Sequence, residues 1–279
     1  MTQALSAPEM VARGFRLLAV ALGLGFVLAG CTTTEQTEKK TAKPPSSEQS
    51  KLLNIARDVE AKGESGTALA LYERAAEMSS SDSTIHVKLG NARLKNGDSD
   101  GAEKAYRSAL QINPQDAHAL LGLGTIQLQR GEADAAARTL APAAQAINSV
   151  SAYNKLGTAL ILSGQGPAAE SAFAKALALQ PGNLDTKTNL ALAQALSNKL
   201  PEASAGMNAV VSSPLAEKRH YVNYMIVLSL SGDMAAAKAV QVPDMAAGQK
   251  NQILAKASRL RSIQSPAERA QAIGVLAST

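Results

Sequence analysis

Two residue types return along this chain at a nearly fixed distance, and that period limits the fold more than any other property. Gly63, Gly97, Gly131, Gly164, Asn198 and Gly232 follow one another at intervals of 34, 34, 33, 34 and 34 residues. Ala68, Ala102, Ala136, Ala169, Ala203 and Ala237 keep the same intervals, five residues further on. A period in this range marks one supersecondary unit copied along the chain, each copy burying its apolar face against its neighbours.

Each column has a physical reason. In the copy spanning 152–183, Tyr153, Leu156 and Leu160 stand at three- and four-residue spacing, which makes an apolar stripe on one helix face. One short helix cannot bury such a stripe, so a second helix carrying Ala169, Phe173, Ala176 and Leu177 must cover it. The recurrent glycine falls between the two helices, where a C-terminal cap takes a left-handed conformation, and asparagine is the usual second choice there. The recurrent alanine and the Leu-Gly pair lack bulk where two backbones would approach. Aromatic residues make up only 3% of the chain and tryptophan is absent, which fits alanine-rich packing rather than a core of large rings.

Tyr153-x2-Leu156-Gly157-x2-Leu160, then Ala169-x3-Phe173, then Pro181, closely resembles the tetratricopeptide repeat. Leu89-Gly90 with Ala102, Tyr106 and Pro114, and Leu123-Gly124 with Ala136 and Leu140, match it further. The resemblance implies an all-α helical solenoid of about five to six helix pairs over residues 49–247, with C-terminal capping helices and a tail over 248–279. The copy at 184–217 diverges, with Met207 in the aromatic position and Pro201 early in its second helix. The next keeps Tyr221, Leu228, Gly232 and Ala237 and then meets Val242-Pro243, so its second helix is expected to be short. Gln249–Ser262 reads as a helix, and Ser265-Pro266-x-Glu268 as the start of another.

Ahead of the repeats, Arg13 and Arg16 precede an apolar run from Leu17 to Gly30, 14 residues against the roughly 20 that a membrane-spanning helix needs. A basic start, a short apolar stretch and small residues form a secretory signal peptide, here residues 1–30. Leu28-Ala29-Gly30-Cys31 resembles the lipobox of bacterial lipoproteins, and Cys31 is the only cysteine of the chain. The resemblance implies cleavage before Cys31, a diacylglycerol on its thiol and an acyl chain such as palmitate on its new amino group. Thr32 stands where an aspartate often signals inner-membrane retention, which points to the outer membrane, facing the periplasm. Residues 31–48, with Pro44-Pro45 and no apolar period, read as the lipidated cysteine and a flexible tether.

Motifs for chemistry are missing. His86, His118 and His220 fall in three different repeats without a second ligand at metal-like spacing, and no phosphate loop, G-x-S-x-G or H-E-x-x-H occurs. No catalytic residue, metal, cofactor or small-molecule substrate is therefore expected, and the chain is read as non-enzymatic. A balance of 28 basic against 23 acidic residues is too mild to indicate nucleic acid. Lys250, Lys256, Arg259 and Arg261 read as a solvated helix face.

Repeat stacks offer a concave groove lined by the first helix of each unit. The residues one step around from the core stripe are Val87, Asn91, Leu121, Thr125, Asn154, Thr158, Thr188 and Leu192, a small, neutral and partly apolar set. They suit an extended segment or an amphipathic helix of a protein partner. Lipobox, tether, repeats and an alanine-rich end together resemble the TadD-type lipoproteins of the Tad/Flp pilus system. That resemblance implies a scaffold assisting assembly or localisation of an outer-membrane secretin, with secretin or other pilus-assembly components as partners. Two other kinds of repeat lipoprotein stay open as alternatives: pilotins of type IV pili, and adaptors that recruit periplasmic peptidoglycan hydrolases or proteases.

Overall fold

The structure, a computed structural model, describes residues 47–78 and 81–277. The signal segment, Cys31 and the tether up to residue 46 lie outside the described residues. Among the described residues there is no strand, and no helix is long and apolar enough to cross a membrane.

Each copy of the repeat is two helices joined by a tight turn. In chain order the pairs are α1 (Ser47–Ala61) with α2 (Ser65–Met78), α3 (Ser83–Lys95) with α4 (Ser99–Ile112), and α5 (Ala117–Gln129) with α6 (Ala133–Ile147). Then come α7 (Val150–Leu162) with α8 (Gly166–Leu179), α9 (Leu184–Leu196) with α10 (Leu200–Val211), and α11 (Lys218–Leu230) with α12 (Met234–Ala239). Each helix packs chiefly on its neighbours in sequence, so the pairs stack as a tetratricopeptide-type solenoid. The first helix begins at Ser47, inside the stretch read as tether, because Gln49 is drawn into the stack: its Nε2 donates to the Ala75 carbonyl of α2 at 3.1 Å.

The turn column behaves as its residue types require. The five recurrent glycines have φ between +76° and +87°, and Asn198 has φ +63°. After α7, the Gly164 N–H donates to Ile161 O at 2.9 Å and the Gln165 N–H to Leu160 O at 2.8 Å, which satisfies carbonyls left over at the helix end. Asn198 and Lys199 repeat this pattern after α9, at 3.1 and 2.8 Å. Starts are as regular: the side chains of Asp82, Asp116, Ser149 and Asn183 cap α3, α5, α7 and α9 by accepting backbone N–H groups.

The alanine column is the core, with no member more than 1% exposed. The glycine of the Leu-Gly pair has a different purpose from the expected approach of two backbones. It admits a side chain from the second helix: a Cβ placed on Gly157 would stand 2.5 Å from the Phe173 ring, and one on Gly124 2.6 Å from Leu140. The Tyr106 ring is gripped from both sides in the same way, by Gly90 and Gly122.

At its C-terminal end the stack changes character. α12 has only six residues, and Lys250 Nζ donates to the carbonyls of Lys238 and Val240 just where the helix would have continued. α13 (Ala247–Arg259) then covers α11 and α12, followed by one 3-10 turn, Leu260–Ser262. Met207, Val210, Met225, Ile226, Val227, Ile253 and Leu254 form the most aliphatic part of the core here. The last helix, α14 (Pro266–Ala277), starts where the capping signal predicts, with Ser265 Oγ accepting the Glu268 N–H. It does not extend the stack. It turns back and lies on α7, α9 and α11.

Candidate protein-binding groove

The first helices of successive pairs bring the predicted residues into two rows. Val87, Leu121, Asn154 and Thr188 each stand ten residues before the turn residue of their repeat, and Asn91, Thr125, Thr158 and Leu192 six before it. Repeat stacks carry such rows on their inner side, and the members of these two differ in what they can offer. Asn91 and Thr158 are exposed, and Leu121, Thr125, Asn154 and Leu192 are half-buried. Val87 and Thr188 are buried, Val87 because it packs into the cluster of Tyr106, Leu123 and Ile126. Those two cannot meet a partner directly.

Several of the polar members are occupied within the chain. Asn91 Oδ1 accepts the Tyr106 hydroxyl at 2.6 Å, and burial pushes the Tyr106 phenol up to about 12. Asn154 Nδ2 donates to Thr186 Oγ1 at 2.8 Å, and Thr186 in turn donates to the α9 cap, Asn183, at 3.0 Å. Asn154 is therefore a tie between the fourth and fifth pairs as much as a groove residue. Thr125 and Thr158 donate to the carbonyls of Leu121 and Asn154 one turn back, which leaves their methyl groups as the surface they present.

The C-terminal half of the groove has a floor that the two rows do not exhaust. Ile161, Leu162 and Leu196 lie two or three residues before the turn residue, and with Thr158, Leu192, Asn189 and Asn223 they line a pocket of about 190 Å³. Ala270, Ile273 and Gly274 of α14 close its other side. No charged side chain lines it. The sequence carried a signal for this third row, since the positions just before each turn residue are often large and apolar. Among the described residues no group of three or more His, Cys, Asp or Glu gathers as metal ligands. His220 is buried in a cap: its Nδ1 accepts the Glu217 N–H at 2.8 Å, and its Nε2 faces Asp185 at 3.1 Å.

Known proteins share this architecture. The family described as the middle TPR-like domain of cilia and flagella-associated protein 70 matches residues 52–155. No curated protein matches the chain in sequence. Among solved structures, a tetratricopeptide repeat protein from Parabacteroides merdae is 18% identical, with a TM-score of 0.61 over 82% of this chain and 92% of its own. PilF of Pseudomonas aeruginosa is 16% identical, with a TM-score of 0.56 over 83% of this chain and 100% of its own. MamA from Desulfovibrio magneticus RS-1 is 20% identical, with a TM-score of 0.55 over 60% of this chain and 96% of its own. At these identities the likeness is one of fold, a helical repeat stack of the kind that typically serves as a non-catalytic protein-interaction scaffold.

Proposed function

We propose that this chain is a non-enzymatic scaffold, anchored by lipid at Cys31 to the periplasmic face of the outer membrane, that holds a protein partner in its concave groove. The observation that carries the binding reading is the apolar, uncharged floor made by Ile161, Leu162, Leu192 and Leu196 on the inner side of the stack. Such a surface binds by burying apolar area and by shape, and it offers no group that activates a nucleophile or moves a proton. Beyond that, the lipobox and tether support the anchor, and the combination of lipobox, tether and repeats supports a role in assembly or localisation of a Tad/Flp-type pilus secretin.

Labelling, capture and an assembly assay test this. Cys31→Ser should abolish labelling by a palmitate analogue and leave an uncut precursor; equal labelling of both proteins removes the lipoprotein reading. Affinity capture from envelopes should return secretin or pilus components, whereas recovery of cell-wall hydrolases or proteases instead would overturn the pilus assignment. Thr158→Arg with Leu192→Glu should abolish capture without unfolding the chain. Asn154 is unsuited to that test because it ties α7 to α9. A soluble form starting after Cys31 should still capture the partner but fail to support assembly, since the anchor concentrates the groove beside the membrane.

A further inference from the structure

The helix already lying in the groove shows what the groove accepts. α14 sits on α7, α9 and α11 with Ala267 beside Gly164, and with Ala270 and Ile273 each only 4% exposed. Its inward face carries small and aliphatic residues at three-residue spacing, Ala267, Ala270 and Ile273, with Gly274 at the open edge of that face, exposed like Glu268.

The seat is imperfect at one point. The 190 Å³ pocket persists between α14 and the floor, and an apolar cavity of about 150 Å³ is enough to hold a benzene ring. Gly274 opens onto it, and a Cβ placed there meets nothing within 4 Å. Asn223 lines the same pocket at 7% exposure, and its buried Oδ1 has no hydrogen-bond partner. A buried acceptor of this kind is costly until a donor reaches it.

We propose that α14 is an internal, displaceable occupant of the groove, and that the partner is a helix with small residues where α14 has Ala267 and Ala270 and a donor-bearing aromatic where it has Gly274. The inference rests on the groove being the partner site and names its occupant. A tyrosine or tryptophan at that point fills the pocket with its ring, and its O–H or N–H meets Asn223 Oδ1 once the asparagine amide, sealed from solvent in the present seat, turns towards the ring. α14 lacks both contributions and holds its place by being tethered, at an effective concentration on the order of millimolar. An ordinary alanine-rich helix therefore loses to α14, whereas one carrying the ring displaces it.

The test uses the full chain with Cys31→Ser and a labelled synthetic peptide of residues 264–277 carrying Gly274→Tyr. The peptide should bind at least roughly tenfold more tightly than its native-sequence counterpart, and roughly tenfold more tightly again when Ile273→Asp in the chain unseats α14. Gly274→Leu in the chain, which fills the pocket from α14, should weaken binding. A peptide with Ala270→Pro, unable to form the helix, should not bind. If circular dichroism shows that Ile273→Asp unfolds the chain, a reversible lock decides. Gly164→Cys, strained by the φ of +76° at that turn but equally so in both redox states, and Ala267→Cys would place their Cβ atoms 3.6 Å apart, within the range of about 3.5–4.5 Å for a disulfide. The oxidised chain should exclude the peptide and the reduced chain admit it. Equal binding to all chains, equal binding in both redox states, or equal binding of the proline peptide overturns the proposal. Envelope capture that proceeds unchanged with the oxidised lock, while the peptide is excluded, overturns the groove reading of function and leaves the displaceable seat standing.

Discussion

Gly157 and Gly66 would both be called helical glycines, yet replacing each by alanine should have opposite effects. A methyl group on Gly157 meets the Phe173 ring at 2.5 Å, inside a packed layer, and overpacking of this kind costs about 1–3 kcal/mol. A methyl on Gly66, in the first turn of α2, meets nothing within 4 Å, so Gly66→Ala should gain up to about 1 kcal/mol from helix propensity and a less flexible unfolded chain. Urea denaturation of the two variants checks this; the same sign for both would mean that Gly157 is not the space for Phe173. The turn glycines and core alanines were legible in the sequence because six copies display the same requirement at one position. What Gly157 makes room for was not, since the period says that bulk is excluded without saying what fills the space. The tie that Asn154 makes was not legible for a related reason: a polar residue on an inner face reads as available, and only the position of Thr186, 32 residues away, shows that its amide N–H is bonded.

Among the elements, α9 and α11 are held together at their starts by an ionic cluster. Arg219 donates from Nε and Nη2 to the two oxygens of Asp185, at 2.9 and 3.2 Å, and His220 approaches the same carboxylate. Hydrogen bonds from Arg219, and then from His220, hold the Asp185 carboxyl below its ordinary value of 3.8 against an opposing effect of burial. A carboxyl whose folded value is lowered contributes stability above its unfolded value, and that contribution disappears as the pH falls from there through the folded value. Arg219→Gln should therefore lower the melting temperature near neutral pH, by an amount equivalent to less than about 1 kcal/mol because the pair is solvent-exposed. The difference from wild type should shrink as the pH falls from 3.8 and be gone once the folded Asp185 carboxyl is itself protonated; a difference that persists in that protonated limit would assign the effect to packing of the arginine stem. At this scale the helices and their order were legible from period and caps. The place of α14 was not, because a repeat pattern defines only how one pair meets the next. The direction of a helix that leaves the pattern depends on the turn at Leu260–Ser265, which no column constrains.

For the molecule as a whole, the stack is a chain of interfaces of unequal quality. The C-terminal interfaces bury Met, Ile, Val and Leu and are strapped by α14 across three first helices, whereas the first interface rests on Ala56, Ala68, Tyr72, Leu89 and Ala92. In a quasi-linear fold each interface contributes separately, so opening should begin at the N-terminal pair. Amide hydrogen exchange should be fastest in α1 and α2 and slowest in α9 to α11; uniform protection along the stack would show that the pairs open as one unit instead. Tyr72 and Tyr106 turn that order into an optical signal. Both phenols are pushed up to about 12, Tyr72 by burial and then by its hydrogen bond to Glu60, and Tyr106 by burial. A phenol held protonated in the fold stabilises it fully below its unfolded value near 10 and loses that contribution as the pH rises towards about 12. After a jump to pH of about 11, each of these rings gains most of its phenolate absorbance when its own repeat comes apart. No tryptophan obscures the signal, and Tyr72→Phe and Tyr106→Phe separate the shares of these two rings from those of the other three among the five tyrosines; ultraviolet absorbance should then record Tyr72 ionising before Tyr106. The scarcity of aromatic rings in an alanine-built core thus leaves a single buried native chromophore in each of the first two repeats, to time an unzipping from one end without any added label.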